Sequence, residues 1–396
     1  MAIYSIRELP IEGKRVFIRV DFNVPINKAT GEVSDTTRID AALPTIRHAL
    51  ERGARVILAS HLGRPDGKPN PKYSMQPVGK VLSEKLPGVD IVIADEPTGD
   101  GATRLATDLK PNQILLLENL RFSPGEEGND PAFAKELAAL ADVYVNDAFG
   151  TAHRAHGSTA GMVAHFEEKG AGFLMMKEVE FFTKLLKNPE KPFVAVLGGA
   201  KVADKVGVIR NLLDLVNVVV IGGAMANTFL AARGQSLGGS KIEADKFGLC
   251  KEIEDAARAR GVQFLLPSDL VIADGLEATS VETVPVSHGV PATKMALDIG
   301  PESRRAFAEA VSGASTIFWN GPMGVFENPV LAQGTLAVAK AVAESRAVSV
   351  VGGGDSVAAI NQAGVSDKIS HVSTGGGASL EMMEGRILPG VAALEK

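Results

Sequence analysis

The chain has 396 residues, too many for one ordinary hydrophobic core, and this length suits two domains of comparable size. Its composition, 45% hydrophobic and 22% charged, is that of a soluble globular protein, and no apolar run reaches the roughly 18 residues that a membrane-spanning helix needs. A net charge of −6 and only 5% aromatic residues argue against nucleic acid and anionic membranes as partners.

Residues 1–15 carry charges and Pro10 in place of a signal peptide's apolar core. Short apolar, β-branched runs then recur at 15–22, 55–60, 90–94, 114–118 and 143–146, and again at 193–197, 218–221, 263–266, 295–299, 316–319 and 348–351. Between them, segments such as 130–140, 206–216 and 329–345 show apolar residues at three- and four-residue spacing. Strand and helix alternating in this way predict parallel sheets covered by helices on both faces. Residues 173–187 read as one amphipathic helix stopped by Asn188-Pro189, either a hinge between two α/β halves or another crossover helix of one large sheet. The single cysteine, Cys250, lies in a predicted amphipathic helix over 246–260, rules out an intrachain disulfide and reads as a buried, inert thiol. A reducing cytoplasm is the matching expectation.

Ligands of open α/β sheets sit beyond the carboxyl ends of the strands. In the first half those ends are charged. They read Arg19-Val-Asp21-Phe-Asn23, then Ser60-His61-Leu-Gly-Arg64-Pro65, then Glu118-Asn119-Leu-Arg121, and finally Asn146-Asp147 leading to His153-Arg154-Ala-His156. Guanidinium groups give directional contacts to phosphate and carboxylate. Arg38, Arg64, Arg121 and Arg154, with His61 and either His153 or His156, are therefore candidates for a small polyanion. Taken singly each is an ordinary surface arginine, and Arg38 has Asp35 and Asp40 nearby as bland partners.

In the second half the strand ends are glycines: Gly198-Gly199-Ala-Lys201, Gly222-Gly223-Ala224, Gly300-Pro301, Gly321-Pro322-Met-Gly324, Gly352-Gly-Gly354-Asp355 and Gly375-Gly-Gly377. Glycine turns at helix N-termini bring bare backbone N–H groups to phosphates, and several in one half, with Lys201 and Lys205 beside the first, indicate a nucleotide. Asp355 suits Mg²⁺, which takes one or two carboxylates plus substrate phosphates, and equally suits a helix N-cap. The chain has no G-x-x-x-x-G-K-[ST] loop, no protein-kinase H-R-D or D-F-G element, no G-x-S-x-G elbow and no third ligand beside His153 and His156 for zinc. It also lacks a G-x-G-x-x-G turn with its acidic partner, which argues against a nicotinamide dehydrogenase.

The string Val16-Phe-Ile-Arg-Val-Asp-Phe-Asn-Val-Pro25 resembles the signature of the phosphoglycerate kinase family. The resemblance continues in order through Ser60-His-Leu-Gly-Arg-Pro65, Glu118-Asn-Leu-Arg-Phe122, Gly150-Thr-Ala-His-Arg-Ala-His156, Gly198-Gly-Ala-Lys-Val-Ala-Asp-Lys205, Trp319-Asn-Gly-Pro-Met-Gly-Val-Phe-Glu327, Gly352-Gly-Gly-Asp355 and Ser373-Thr-Gly-Gly-Gly-Ala-Ser379. It implies two doubly wound, Rossmann-like domains: residues 1–172, with 378–396 packing back onto them, for 3-phosphoglycerate, and residues 188–377 for nucleotide, joined by the 173–187 hinge helix. It implies a reversible, glycolytic phosphoryl transfer from 1,3-bisphosphoglycerate to ADP-Mg, with hinge closure, in a monomer.

By the same resemblance, Asp21, Asn23, Arg38, His61, Arg64, Arg121 and Arg154 are expected at the glycerate substrate. Lys205, Gly223, Gly300, Glu327, Gly353, Gly354, Asp355 and Ser356 are expected at ADP or ATP, with Mg²⁺ at Asp355. Catalysis is expected of Arg38, Lys201, Lys205, Gly354 and Gly376. Ser356 stands where the family pattern has Thr, and Ala224 replaces a third glycine. The competing reading, a non-catalytic nucleotide-binding scaffold on the same fold, is opposed by the presence of Arg38, Lys201, Lys205 and Asp355.

Overall fold

The computed structural model describes residues 3–396, which form two compact units. One unit runs to Glu180 and takes back Ile387–Lys396; the other is Phe181–Arg386.

The first unit contains β1 (Arg15–Arg19), β2 (Arg55–Ala59), β3 (Asp90–Ile93), β4 (Gln113–Leu116), β5 (Val143–Asn146) and β6 (Lys169–Ala171). They form one parallel sheet in the order β3-β4-β2-β1-β5-β6. Consecutive apolar residues such as Val16-Phe17-Ile18 suit a strand covered on both faces, and all three are fully buried. Val16 and Ile18 pack in one cluster with Ile39 and Ile46 of the helix Thr37–Glu51 and with Val78 and Leu82 of the helix Gln76–Lys85. The first run was expected to extend to residue 22, but its ladder ends at Arg19. There the chain turns, with the Asn23 amide donating to Asp21 Oδ1 at 3.2 Å.

The second unit contains β7 (Phe193–Leu197), β8 (Val218–Ile221), β9 (Gln263–Leu265), β10 (Asp269–Ala273), β11 (Glu282–Pro285), β12 (Met295–Ile299), β13 (Thr316–Asn320), β14 (Val348–Gly352) and β15 (His371–Val372). Six of these form a parallel sheet in the order β15-β14-β13-β7-β8-β9. One expectation needs correction. The run 295–299 belongs to a separate antiparallel sheet, β11-β10-β12, and not to the parallel set. An apolar run has the same periodicity whichever way its neighbour points. On one side of the parallel sheet, Val194, Ile317, Trp319 and Val351 pack with Phe307 of the helix Pro301–Ser312 and Val338 of the helix Gln333–Glu344.

Phe173–Lys187 forms one helix, divided between the units at Glu180 and Phe181. Residues 378–386 lie in the second unit, where Asn211 Nδ2 donates to the Met383 carbonyl at 2.8 Å. The returning segment starts at Ile387, and the Gly390 amide donates to the Ala152 carbonyl at 2.8 Å. Cys250 is buried in the helix Phe247–Ala259, and burial pushes its thiol up to about 12, leaving it protonated and inert.

Candidate active site

Four adjacent strands of the first unit, β4, β2, β1 and β5, bring charged segments to one edge of the sheet. Arg121 follows β4, His61 and Arg64 follow β2, Asp21 and Asn23 follow β1, and Arg154 follows β5. Arg38 joins them from the first turn of the helix Thr37–Glu51. Its bland partners are otherwise engaged. Asp35 accepts from the Thr37 amide and hydroxyl at 2.8 and 2.6 Å, and Asp40 binds Lys85 and the Thr36 hydroxyl. Arg38 Nη1 instead reaches both oxygens of Asp21 at 2.9 Å, with its side chain still 41% exposed.

The loops carrying these groups are tied together before any ligand arrives. Asn23 Oδ1 accepts from the Gly63 amide at 2.9 Å, and Arg121 Nη1 donates to the Gly63 carbonyl at 2.8 Å. Asn119 accepts from the Leu62 and Arg121 amides and donates to the Leu62 and Tyr73 carbonyls. Arg154 Nε donates to His153 Nε2 at 3.2 Å, while Arg64 is exposed. His61 is only 5% exposed. Burial, followed by the charges of Arg19, Arg121, Arg38 and Arg154, holds its pKa well below the ordinary value. Several guanidinium groups thus converge on one neutral histidine, a field that favours a small, multiply charged anion.

Sequence reasoning missed what lies beneath this patch. Arg19, at the end of β1, is 1% exposed, donates from Nε to Ser158 Oγ at 2.8 Å and meets His61 Nδ1 at 3.3 Å. Ser158 in turn binds the buried Glu126 through its hydroxyl and amide, at 2.6 and 2.8 Å. The available signal was an arginine ending an apolar run buried on both faces, which demands a paired partner.

In the second unit the glycines have two uses. Some let backbones pass closely. A Cβ on Gly198 would stand 2.1 Å from the Pro322 carbonyl, one on Gly222 2.3 Å from Met323 Sδ, and one on Gly223, at φ +68°, 2.5 Å from the Gly199 carbonyl. Others, Gly199, Gly354 and Gly376, have open space where a side chain would sit. Beside the first group lies a cavity of about 400 Å³, within the range of small-ligand pockets. Its walls are mostly apolar, including Ala224, Met295, Leu297 and Val325, and the exposed Glu327 and Asp355 contribute carboxylates to its lining.

Gly223, Glu327 and Asp355 are brought to this cavity; Gly300 is not among its lining residues. A Cβ at Gly300 would meet Asp269 Oδ2 at 2.3 Å, so this glycine serves the close packing of a helix start. Ala296, Leu297 and Asp298, just before it, line the cavity instead. The Ser356 hydroxyl is buried and accepts from the Gly321 amide at 2.6 Å. The helix Gly354–Gln362 is capped by Gly353, at φ +92°, so the alternative role of Asp355 as N-cap does not occur. Lys205 donates to Asn320 Oδ1, and burial brings its pKa down to about 8 against the opposing pull of Asp204 and Asp355. Lys201 is exposed. Asp298 is raised to about 7 by burial, although it accepts from the Gly334 amide at 2.7 Å. No group of three or more His, Cys, Asp or Glu residues placed to hold a metal occurs among the described residues.

Comparison with known proteins identifies the family. The family model described as phosphoglycerate kinase matches residues 6–386. The phosphoglycerate kinase of Anaeromyxobacter dehalogenans (strain 2CP-C) is 55% identical over 398 residues, covering 100% of each chain. That of Moorella thermoacetica is 55% identical over 394 residues, covering 100% of this chain and 99% of its own. Among solved structures, phosphoglycerate kinase from Coxiella burnetii superposes with a TM-score of 0.91 at 42% identity, over 99% of both chains. The enzyme from Pyrococcus horikoshii OT3 gives 0.82 at 34% identity, over 99% of this chain and 98% of that one. The chain belongs to the phosphoglycerate kinase family, whose members are phosphotransferases with a carboxyl group as acceptor.

Proposed function

We propose that the charged edge of the first unit holds 3-phosphoglycerate or 1,3-bisphosphoglycerate and that the cavity of the second unit holds ADP or ATP with Mg²⁺. The observation that carries this reading is the convergence of Arg19, Arg121, Arg38 and Arg154 on the buried His61. Asp21, Asn23, Arg38, His61, Arg64, Arg121 and Arg154 bind the glycerate. Lys205, Gly223, Glu327, Gly353, Gly354, Asp355 and Ser356 serve the nucleotide, with Gly300 acting through the helix start it packs. The exposed carboxylate of Asp355 suits a magnesium ion that takes its remaining ligands from phosphates and water. When bound, Mg²⁺ supplies charge neutralisation between phosphate groups.

An acyl phosphate already has a good leaving group, so the protein's task is in-line positioning and electrostatic stabilisation. Arg38 and Lys201 neutralise the equatorial oxygens of the transferring group, and Lys205 neutralises the nucleotide's phosphates. Backbone N–H groups at Gly354 and Gly376, where no Cβ obstructs approach, add partial positive charge. No general base is needed in the ATP-forming direction, because the attacking oxygen is an ionised phosphate. Substrates on separate units require closure, with the helix Phe173–Lys187 and residues 374–379 as hinges, and closure excludes water from the acyl phosphate. The protein works as a cytoplasmic monomer.

The test is ATP-dependent phosphorylation of 3-phosphoglycerate, with the product coupled to an NADH-consuming dehydrogenase. Robust turnover is expected. A folded, ATP-binding protein that shows none would overturn the reading and leave a binding scaffold.

A further inference from the structure

Arginine has five N–H donors and no acceptor, so every hydrogen bond it makes has a known direction. Arg19 Nε must therefore donate to Ser158 Oγ, at 2.8 Å. The single hydroxyl proton of Ser158 is then left for Glu126 Oε1, 2.6 Å away, while the Ser158 amide donates to Oε2 at 2.8 Å. Both carboxylate oxygens accept; burial pushes this carboxyl's pKa up, and Arg19, the two Ser158 bonds and Arg121 oppose that push, so the glutamate is placed as the countercharge that a buried guanidinium requires. All three residues are essentially inaccessible: Arg19 is 1% exposed, and Ser158 and Glu126 are 0% exposed. At the other end, Arg19 Nη2 lies 3.3 Å from His61 Nδ1. A proton on Nδ1 would point at an N–H of the guanidinium, so Nδ1 must be the acceptor.

We infer that Arg19 is a positioning residue that fixes His61 in its neutral Nε2–H tautomer, with Glu126 and Ser158 holding the guanidinium in place. His61 thereby offers one N–H donor to the anion site. Nδ1 is engaged by Arg19, and among the described residues the structure gives Nε2 no hydrogen-bond partner. The inference rests on the reading that His61 faces the glycerate substrate. It explains why a histidine among guanidinium groups is useful: a fixed neutral donor contributes a hydrogen bond without the repulsion a further cation would bring. It also gives Arg19, which is 1% exposed, a role distinct from that of the exposed Arg64.

The direct test is a long-range ¹H–¹⁵N correlation spectrum of the ring of His61 in the full-length wild-type protein, without substrate. The expected pattern is a protonated Nε2 and an unprotonated Nδ1 from pH 6 to 8. A ring protonated on Nδ1, or on both nitrogens, would overturn the inference whether or not the protein binds 3-phosphoglycerate. Absence of 3-phosphoglycerate binding with the expected tautomer would instead count against the functional reading alone.

The second test compares Arg19→Lys with the double variant Arg19→Met/Glu126→Gln, designed so that no buried charge is left unpaired. In the double variant both tautomers should appear. Its KM for 3-phosphoglycerate should rise about tenfold, the loss of one hydrogen bond to a charged group at the low end of the usual range, with kcat much less affected. Arg19→Lys, which keeps a donor facing Nδ1, should restore the single tautomer. A double variant that folds, keeps the wild-type ring pattern and keeps its KM would contradict the inference.

Discussion

The sites proposed on the two units are built by opposite means. The first builds its site from side chains: guanidinium groups from adjacent strand ends, locked by Asn23, Asn119 and a buried arginine–carboxylate network. The second uses backbone, with glycines that let loops nest within 2.5 Å of where a Cβ would stand and others that leave amides unobstructed. An exposed side chain such as Arg64 can be lost without disturbing its neighbours. A close-packed glycine such as Gly198 is part of the packing, so changes to it reach the fold.

That contrast can be broken or sharpened by experiment. The largest expected effect is in Arg38→Ala, which should cut turnover on the order of 10³-fold while leaving ADP affinity unchanged. Loss of ADP binding in a folded Arg38→Ala protein would undo the assignment of the two sites. Next comes the stability difference between a glycine and an arginine variant. Gly198→Ala places a Cβ 2.1 Å from the Pro322 carbonyl and should lose about 1–3 kcal/mol in urea unfolding. Arg64→Ala, an exposed side chain, should stay within about 0.5 kcal/mol of wild type. Equal losses in the two would erase the distinction.

A smaller effect is the pH dependence of nucleotide binding. Lys205 has a pKa lowered to about 8, so its cation is present below that pH and lost above it. ADP affinity should fall by up to about tenfold from pH 7 to 9, and Lys205→Arg should flatten the profile. A profile unchanged by the substitution would remove Lys205 from the phosphates.

The smallest effect is on acid stability. Burial holds His156 down to about 4, against 6.5 for an ordinary histidine. Between those values the unfolded chain binds more protons than the folded one, so stability should drop as pH falls from 6.5 toward 4. Asp147, raised to about 6 from 3.8 by burial, works in the opposite sense, because the folded chain binds more protons between those values. His156→Gln should therefore lose less stability than wild type between pH 7 and 5. An identical acid limb in both proteins would contradict the role given to His156.

Much of this arrangement is legible in the residues. Apolar runs such as 193–197 and 218–221 name their strands because a strand buried on both faces has few alternatives. Asp21, His61, Arg121 and Asp355 follow closely on strands that the apolar runs mark, whereas Arg38 comes from the first turn of a helix. Three kinds of information were not legible. The direction of β12 against β10 depends on a partner strand that periodicity does not encode, and β15, with two residues, is too short to carry a pattern. The role of Gly300 depends on Asp269, 31 positions earlier, which only folding brings beside it. The network under His61 joins Arg19, Glu126 and Ser158 from three separate segments, so each reads alone as an isolated polar residue.

The most direct test of the division between the units is calorimetric titration of 3-phosphoglycerate and ADP, separately, into Arg64→Ala and Gly354→Val. Gly354 has open space for a side chain, so Gly354→Val should fold, yet it should obstruct approach of phosphates to that helix start. The prediction is a crossed pattern: Arg64→Ala loses 3-phosphoglycerate affinity and keeps that for ADP, and Gly354→Val does the reverse. If either folded variant loses both ligands together, or the losses are exchanged, the account of two separately built sites is wrong.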